Sequence, residues 1–301
     1  MIRGDHHGLT RGDMPAPADS SFLARCRSVL ADALGHLNDD DGWAMASHVA
    51  LNALMSVFPF LIFVAALAGF IGEANLAGRV AALLFDTWPS DVAGPIANDV
   101  QRVVSQSQGS LLTISILVTI YLASNGVEAV RTALNRAYRV TDRRPFLLLR
   151  LQSVVFVLVG AVLSLVFAFL AVLGPLIFQW IAEHVPEIRP FAGLFEVLRF
   201  AVTGLVAVAA LVAAHLWLPA GRPPVGRLWP GILATVVLWL VGAWTFGYYL
   251  QRFANYAAYY AGLASVVTAI FFLYLIALAM IFGAEFNASL ARARNRQINP
   301  E

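Results

Sequence analysis

"LLTISILVTIYLASNGVEAVRTALNRAYRVTDRRPF", residues 111–146, decides how the chain folds. Its first ten residues carry no charge, and its last 26 carry one glutamate, one aspartate and five arginines. Hydrocarbon accepts the first part and rejects the second, so the stretch describes a helix that leaves a bilayer at its polar end. The polar part keeps helical spacing. Ser124, Glu128, Arg131, Asn135 and Tyr138 fall on one face. Glu128 and Arg131, three residues apart, are surface neighbours placed to pair.

Composition agrees. The chain has 301 residues, 59% hydrophobic and 13% charged, with a mean hydropathy of +0.73. Soluble domains carry about 25% charged residues. All 20 basic residues are arginine, which reflects compositional bias rather than mechanism. Cys26 is the only cysteine, so no disulfide forms within the chain. The first 40 residues are polar and lack the apolar core of a cleavable signal peptide.

A membrane-spanning helix needs about 20 mainly apolar residues. Six candidates satisfy or approach this: 47–71, 111–125, 151–181, 199–218, 231–250 and 262–286. The sequence therefore predicts an all-α polytopic membrane protein with six transmembrane helices. The third span is longer than a bilayer requires. It must tilt, break near Gly174 and Pro175, or begin outside the membrane. Residues 1–20, rich in Gly, Pro and Asp, are expected to be a disordered cytoplasmic tail. Residues 21–295 form the membrane domain, and 296–301 a second cytoplasmic tail.

In a six-span arrangement, 15 arginines fall on one side and five on the other. The positive-inside rule then places both termini and the "RRPFLLLR" loop in the cytoplasm, that is, N-in and C-in. Trp43, Trp180, Trp217 and Trp229 stand near span ends, as interfacial anchors do. The first periplasmic loop contains "DVAGPIANDVQRVVSQ", in which Val92, Ile96, Val100 and Val103 recur at helical spacing. An amphipathic helix is expected there, capping the bundle or lying on lipid.

Three places carry candidate site residues. Asn125, Glu128, Arg131, Asn135 and Arg136 either serve topology and anionic headgroups or line a polar site at the cytoplasmic mouth of a cavity. Glu285 and Asn287, in "MIFGAEFNASL", stand where apolar residues would cost less. Glu285 is expected either to pair with an arginine of the 131–139 helix or to snorkel. His48, Asn52 and Ser56, spaced by four, make one stripe on the first span, suited to binding a neighbouring helix. Pro59 removes a backbone donor there and is expected to kink the helix.

Enzyme chemistry finds little support. There is no His-Glu-x-x-His, no cysteine pair and no Gly-x-Ser-x-Gly. "GRPPVGR" lacks the lysine and hydroxyl of a nucleotide-binding loop. Asp39, Asp40 and Asp41 suit a solvated helix start better than a metal site. No cofactor, metal or nucleic acid is expected. Two functions remain: a transporter or flippase of an anionic, lipid-like amphipath, and a scaffold whose arginine loop recruits anionic lipid or a cytoplasmic partner.

Three ordered motifs resemble those of the YihY/virulence factor BrkB family, formerly named ribonuclease BN. "ALMSVFPFLIF", residues 53–63, is similar to its first-span Ser-x-Phe-Pro signature. "ASNGVEAVRTALNRAYRVTDRRPF", residues 123–146, is similar to its second-span motif. "YYAGLASVVTAIFFLYLIALAMIFGAEFNA", residues 259–288, resembles its last span with the terminal Gly-Ala-Glu-x-Asn. Leu51 and Asn52 depart from the aromatics usual before the first-span serine. The resemblance covers about residues 25–295 and implies a six-helix protein of the bacterial inner membrane. It also implies a link, in some members, to envelope lipid transport.

Overall fold

The computed structural model describes residues 22–70, 109–221, 223–257 and 261–298. Seven α-helices occur among them: α1 (Phe22–Asp39), α2 (Gly42–Phe70), α3 (Gly109–Ala137), α4 (Phe146–His184), α5 (Ala192–Trp217), α6 (Trp229–Ala257) and α7 (Ala261–Ile298). Short 3-10 turns, Pro186–Phe191 and Val225–Arg227, precede α5 and α6. No strand occurs among the described residues. The expected tail 1–20 and the amphipathic helix of the loop after α2 lie outside the described residues.

Five of these helices contain segments long and apolar enough to cross a membrane: Gly42–Val64, Phe146–Phe167, Glu187–Trp217, Trp229–Leu250 and Val266–Asn295. Among the described residues α3, which holds the expected second span, is not one of them. The polar half of α3 carries Glu128, Arg131 and Arg136. Many large apolar side chains face outward, among them Leu205, Leu233, Leu240 and Trp244, each at least 64% exposed. So broad an outward apolar surface is what lipid, not water, covers. Trp43, Trp180, Trp217 and Trp229 are all exposed, as anchors must be.

The interior is built from small side chains. Ala46, Ala129, Ala133, Ala137, Ala277 and Ala284 line the main core with Leu37, Val49, Leu134, Leu218 and Ile281. Small residues let helix backbones approach where lipid supplies no hydrophobic drive. Ser56 donates to the carbonyl of Leu122 at 3.3 Å, and a Cβ on Gly126 would sit 3.1 Å from its hydroxyl. This contact seats α2 against α3. On the other side, Gly231 of α6 faces Gly283 of α7, and a Cβ on Gly283 would come 2.5 Å from the Gly231 carbonyl oxygen. Thr235 donates there to both Gly231 and Ala279, at 2.9 and 3.3 Å.

Several expectations need adjusting. α4 neither breaks nor ends at Pro175; it runs unbroken for 39 residues and starts at Phe146. Pro59 lies inside α2, at the place where a kink is expected. The terminal tail expected from 296 is still helical to Ile298. A helix precedes the first span: α1 buries Val29, Ala33 and Leu37, spaced by four, against α2 and α7. Arg292 on α7 holds Asp32 on α1 at 3.0 Å.

Candidate functional site

The polar face of α3 meets the start of α4. Pro145 fixes the entry, with φ −63° and ψ 144°, and α4 then carries Arg150 one turn in. That guanidinium donates to Glu128 Oε2 at 2.6 Å, to Asn125 Oδ1 at 2.9 Å and to the Tyr121 carbonyl at 2.7 Å. Its Cζ lies 3.6 Å from the Tyr121 ring centroid, a cation–π contact. Arg131 takes the other carboxylate oxygen, Oε1, at 2.7 Å. It also donates to the Leu149 carbonyl at 3.0 Å and to Ser153 Oγ at 3.2 Å. Arg131 is 4% and Arg150 8% exposed, so two buried cations share one carboxylate. The cluster carries a net positive charge. Charge-assisted bonds of this kind are short and directional, and they clamp α3 to α4.

Asn135 and Arg136 do other work. Asn135 donates to Asp142 at 3.2 Å and accepts from the Ala220 backbone at 2.9 Å. Asp142 is also held by Arg144, at 2.8 and 2.6 Å, and that guanidinium donates onward to the Leu218 carbonyl at 2.7 Å. The Arg144 bonds hold the Asp142 carboxyl down to about 2, against a smaller opposing effect of burial. Arg136 reaches Asp41 at 2.6 Å, and Arg139 reaches Asp40 at 2.7 Å. The turn after α1 therefore interlocks with the turn after α3. Each contains a left-handed residue, Asp41 at φ 52° and Arg139 at φ 55°. Non-glycine residues tolerate that region poorly, so the interlocked ion pairs hold both turns in place.

These pairings account for the acidic run before α2: Asp40 and Asp41 are arginine partners. They also correct the expected partner of Glu285. Arg139 and Arg136 are engaged elsewhere, and no ion pair among the described residues includes Glu285. Glu285 is 1% exposed and does not snorkel. Asn287 uses both ends of its amide structurally, accepting from Gly231 N at 2.7 Å and donating to Leu228 O at 3.0 Å. It caps the start of α6, whose first N–H groups have no helical partner. Asn52 bonds within its own helix, donating to His48 O at 2.9 Å, and Ser56 serves the α2–α3 contact. The expected residues thus form a clamp on α3 and α4, a cap on α6 and a stripe on α2, rather than one site.

Two participants were not among the expected site residues, although Arg150 counts with the loop arginines expected to meet anionic headgroups. Arg150 is a lone charge inside "FLLLRLQSVVFVLVGAV", and His215 a lone polar residue inside "LVAAHLWL". A polar group isolated in an apolar run is the signal that marks both. His215 is fully buried, and its Nδ1 lies 2.7 Å from the Tyr138 hydroxyl. Burial raises the Tyr138 phenol above its ordinary value, with the nearby Glu285 adding to the effect.

Two apolar grooves open among the helices. One, of about 640 Å³, is lined by Gly242, Phe246 and Tyr249 of α6 and by Val267, Phe271 and Leu275 of α7. The other, of about 380 Å³, lies between Ser47 and the α7 residues Val267, Ile270, Phe271 and Tyr274. Neither touches the arginine clamp. Among the described residues, no group of three His, Cys, Asp or Glu side chains could hold a metal ion.

Long apolar helices and a broad outward apolar surface define a helical membrane protein. The chain belongs to the virulence factor BrkB family, whose profile matches residues 33–301. It is similar to the ribonuclease-like protein YfkH of Bacillus subtilis, 25% identical over 89% of this chain and 96% of YfkH. A UPF0761 membrane protein of Rhodospirillum centenum is 28% identical over 93% of this chain and 63% of its own length. Another, of Alteromonas mediterranea, is 23% identical over 90% of this chain and 87% of its own. No solved structure matches.

Proposed function

We propose that the protein is a transporter or flippase of an anionic, lipid-like amphipath in the bacterial inner membrane. It crosses the bilayer six times, with α3 as the second span and both termini in the cytoplasm. The observation that carries the reading is the juxtaposition at the start of α4. Arg143 is exposed, and beside it Phe146, Leu147, Leu148 and Leu151 stand 55–76% exposed. The net-positive Glu128–Arg131–Arg150 cluster lies directly behind them. An anionic headgroup above an acyl chain meets there a cation above a greasy ridge, and each basic residue near an anionic leaflet adds about 1 kcal/mol. The α6–α7 groove offers apolar room further along the bundle. The 15-to-5 division of arginines supports the orientation.

A specific observation favours scaffolding as a second reading. Arg131 and Arg150 direct most of their donors to protein oxygens, so they brace the bundle and leave the exposed loop to recruit. Reconstitution into liposomes separates the two. Transport predicts protein-dependent translocation of a fluorescent anionic lipid, faster than that of a zwitterionic one and slowed by Arg143→Ala. Rates equal to those of protein-free vesicles, with retained binding of anionic vesicles, would leave the scaffold.

A further inference from the structure

Arg136 and Arg139, at the end of α3, bind acids that belong to a distant segment. Arg136 Nη2 donates to Asp41 Oδ2 at 2.6 Å. Arg139 donates from Nε and Nη2 to Asp40 Oδ2 at 2.9 and 2.7 Å. Unlike the buried Arg131 and Arg150, these guanidiniums are open. The two side chains are 43% and 38% exposed, and that of Asp41 is 66% exposed. A ligand can therefore reach them without unpacking the bundle. Exposed apolar side chains follow both turns, Trp43 at the start of α2 and Phe146 and Leu147 at the start of α4.

The two carboxylates occupy places that a phosphate suits equally. A guanidinium takes carboxylate and phosphate oxygens through the same N–H fork. The acids are also held lightly, because an exposed ion pair contributes little net stability. The Asp40 pair, moreover, holds Arg139 at φ 55°, a backbone region that penalises a residue with a side chain. Exchanging the acids for a headgroup keeps charge-assisted bonds on both arginines and lets that turn relax. Trp43, Phe146 and Leu147 suit the level of a bilayer where headgroups lie above acyl chains. A soluble phosphate would gain nothing from them.

We propose that Arg136 and Arg139 form a binding site for the phosphate of an anionic phospholipid, with Asp40 and Asp41 as its built-in competitors. Lipid binding releases the turn between α1 and α2 from the end of α3. α1 itself stays on α7, because Arg292 holds Asp32 at 3.0 Å. The movement is thus confined to the turn, and the composition of the leaflet sets how firmly it is latched. The site rests on the reading that anionic headgroups meet this end of the bundle, but not on transport: a failed translocation assay leaves it standing.

Native mass spectrometry of the full-length protein, released from micelles containing phosphatidylglycerol or phosphatidylcholine, counts the lipid retained. Asp41→Asn and Arg136→Gln break the same ion pair. A pair that only braces the turns would make the two variants behave alike. A lipid site makes them opposite: Asp41→Asn should raise phosphatidylglycerol retention about fivefold, and Arg136→Gln should lower it by a similar factor. Asp40→Asn and Arg139→Gln make a second, independent comparison with the same expected signs, which decides if a member of the first does not fold. Asp39→Asn and Arg227→Gln carry the same charge changes at exposed residues. Neither residue forms an ion pair among the described residues, so both variants should retain lipid as the parent does. Phosphatidylcholine retention should not respond to any of the substitutions. Shifts of the same sign within a comparison, or shifts no larger than those of the two controls, overturn the proposal. So does binding of inorganic phosphate to the Asp41→Asn protein without a gain in phosphatidylglycerol, which would make a soluble phosphate the occupant.

Discussion

Glu128 is the residue on which the α3–α4 clamp turns. Its two oxygens each hold one of two guanidiniums that are almost sealed from water, so one negative charge serves two positive ones. Removing one partner from a buried ion pair leaves charge without compensation, a loss of about 3 kcal/mol. Glu128→Gln should therefore lower the thermal unfolding midpoint in detergent clearly, and more than Thr132→Ala on the exposed side of the same turn. Asp142 makes a prediction in pH. Its folded pKa of about 2 lies below the unfolded value near 3.9, so its bonds to Arg144 stabilise the fold above that unfolded value. The contribution fades as pH falls toward the folded value. An Asp142→Asn protein should show a flatter acid transition over that interval and no change in pH response near neutrality. Of these contacts, Glu128–Arg131 was legible, because spacing within a helix fixes which side chains are neighbours. The surroundings of Glu285 were not, because Arg139, an arginine expected to reach it, binds instead Asp40, 99 residues away in sequence.

At the scale of elements, the crossing of α6 and α7 depends on two glycines. A methyl group on Gly283 would run into backbone atoms that cannot swing aside. Gly283→Ala should cost about 1–3 kcal/mol, measurable as reduced Tm, and should also disturb the Asn287 cap on α6. The interlocked turns give a contrasting case. Arg139 holds a left-handed backbone that costs an ordinary residue about 1–2 kcal/mol, while its partly exposed ion pair is worth about 0–1 kcal/mol. Arg139→Gly should stay close to the parent in Tm, and Arg139→Val should fall well below it. Helix identity was readable from apolar runs, since length and lack of charge suffice. Helix ends were not. α4 passes through Pro175, although a proline removes a ladder bond and marks a place where helices often end. α1 was missed although Val29, Ala33 and Leu37 recur every four residues, because the polar residues around them mask a narrow buried stripe.

For the whole molecule, contacts between distant segments put the starts of α2, α4 and α6 at one end with the finishes of α3, α5 and α7. The Asp41–Arg136, Arg144–Leu218 and Asn287–Leu228 contacts fix that arrangement. Under the proposed orientation this end faces the cytoplasm. The only native cysteine, Cys26, is exposed, so a Cys26→Ser background allows a single reporter cysteine at Arg143. An impermeant thiol reagent should label it only in inside-out vesicles. Labelling in intact right-side-out vesicles would reverse the orientation.

The unbroken α4 also sets a vertical scale. At about 1.5 Å per residue, its 39 residues make a rod of about 58 Å, set against hydrocarbon only about 30 Å thick. Such a rod cannot stand upright and stay submerged. It leans steeply or lifts its far tip clear of the lipid, carrying the Pro186–Phe191 turn and the start of α5 with it.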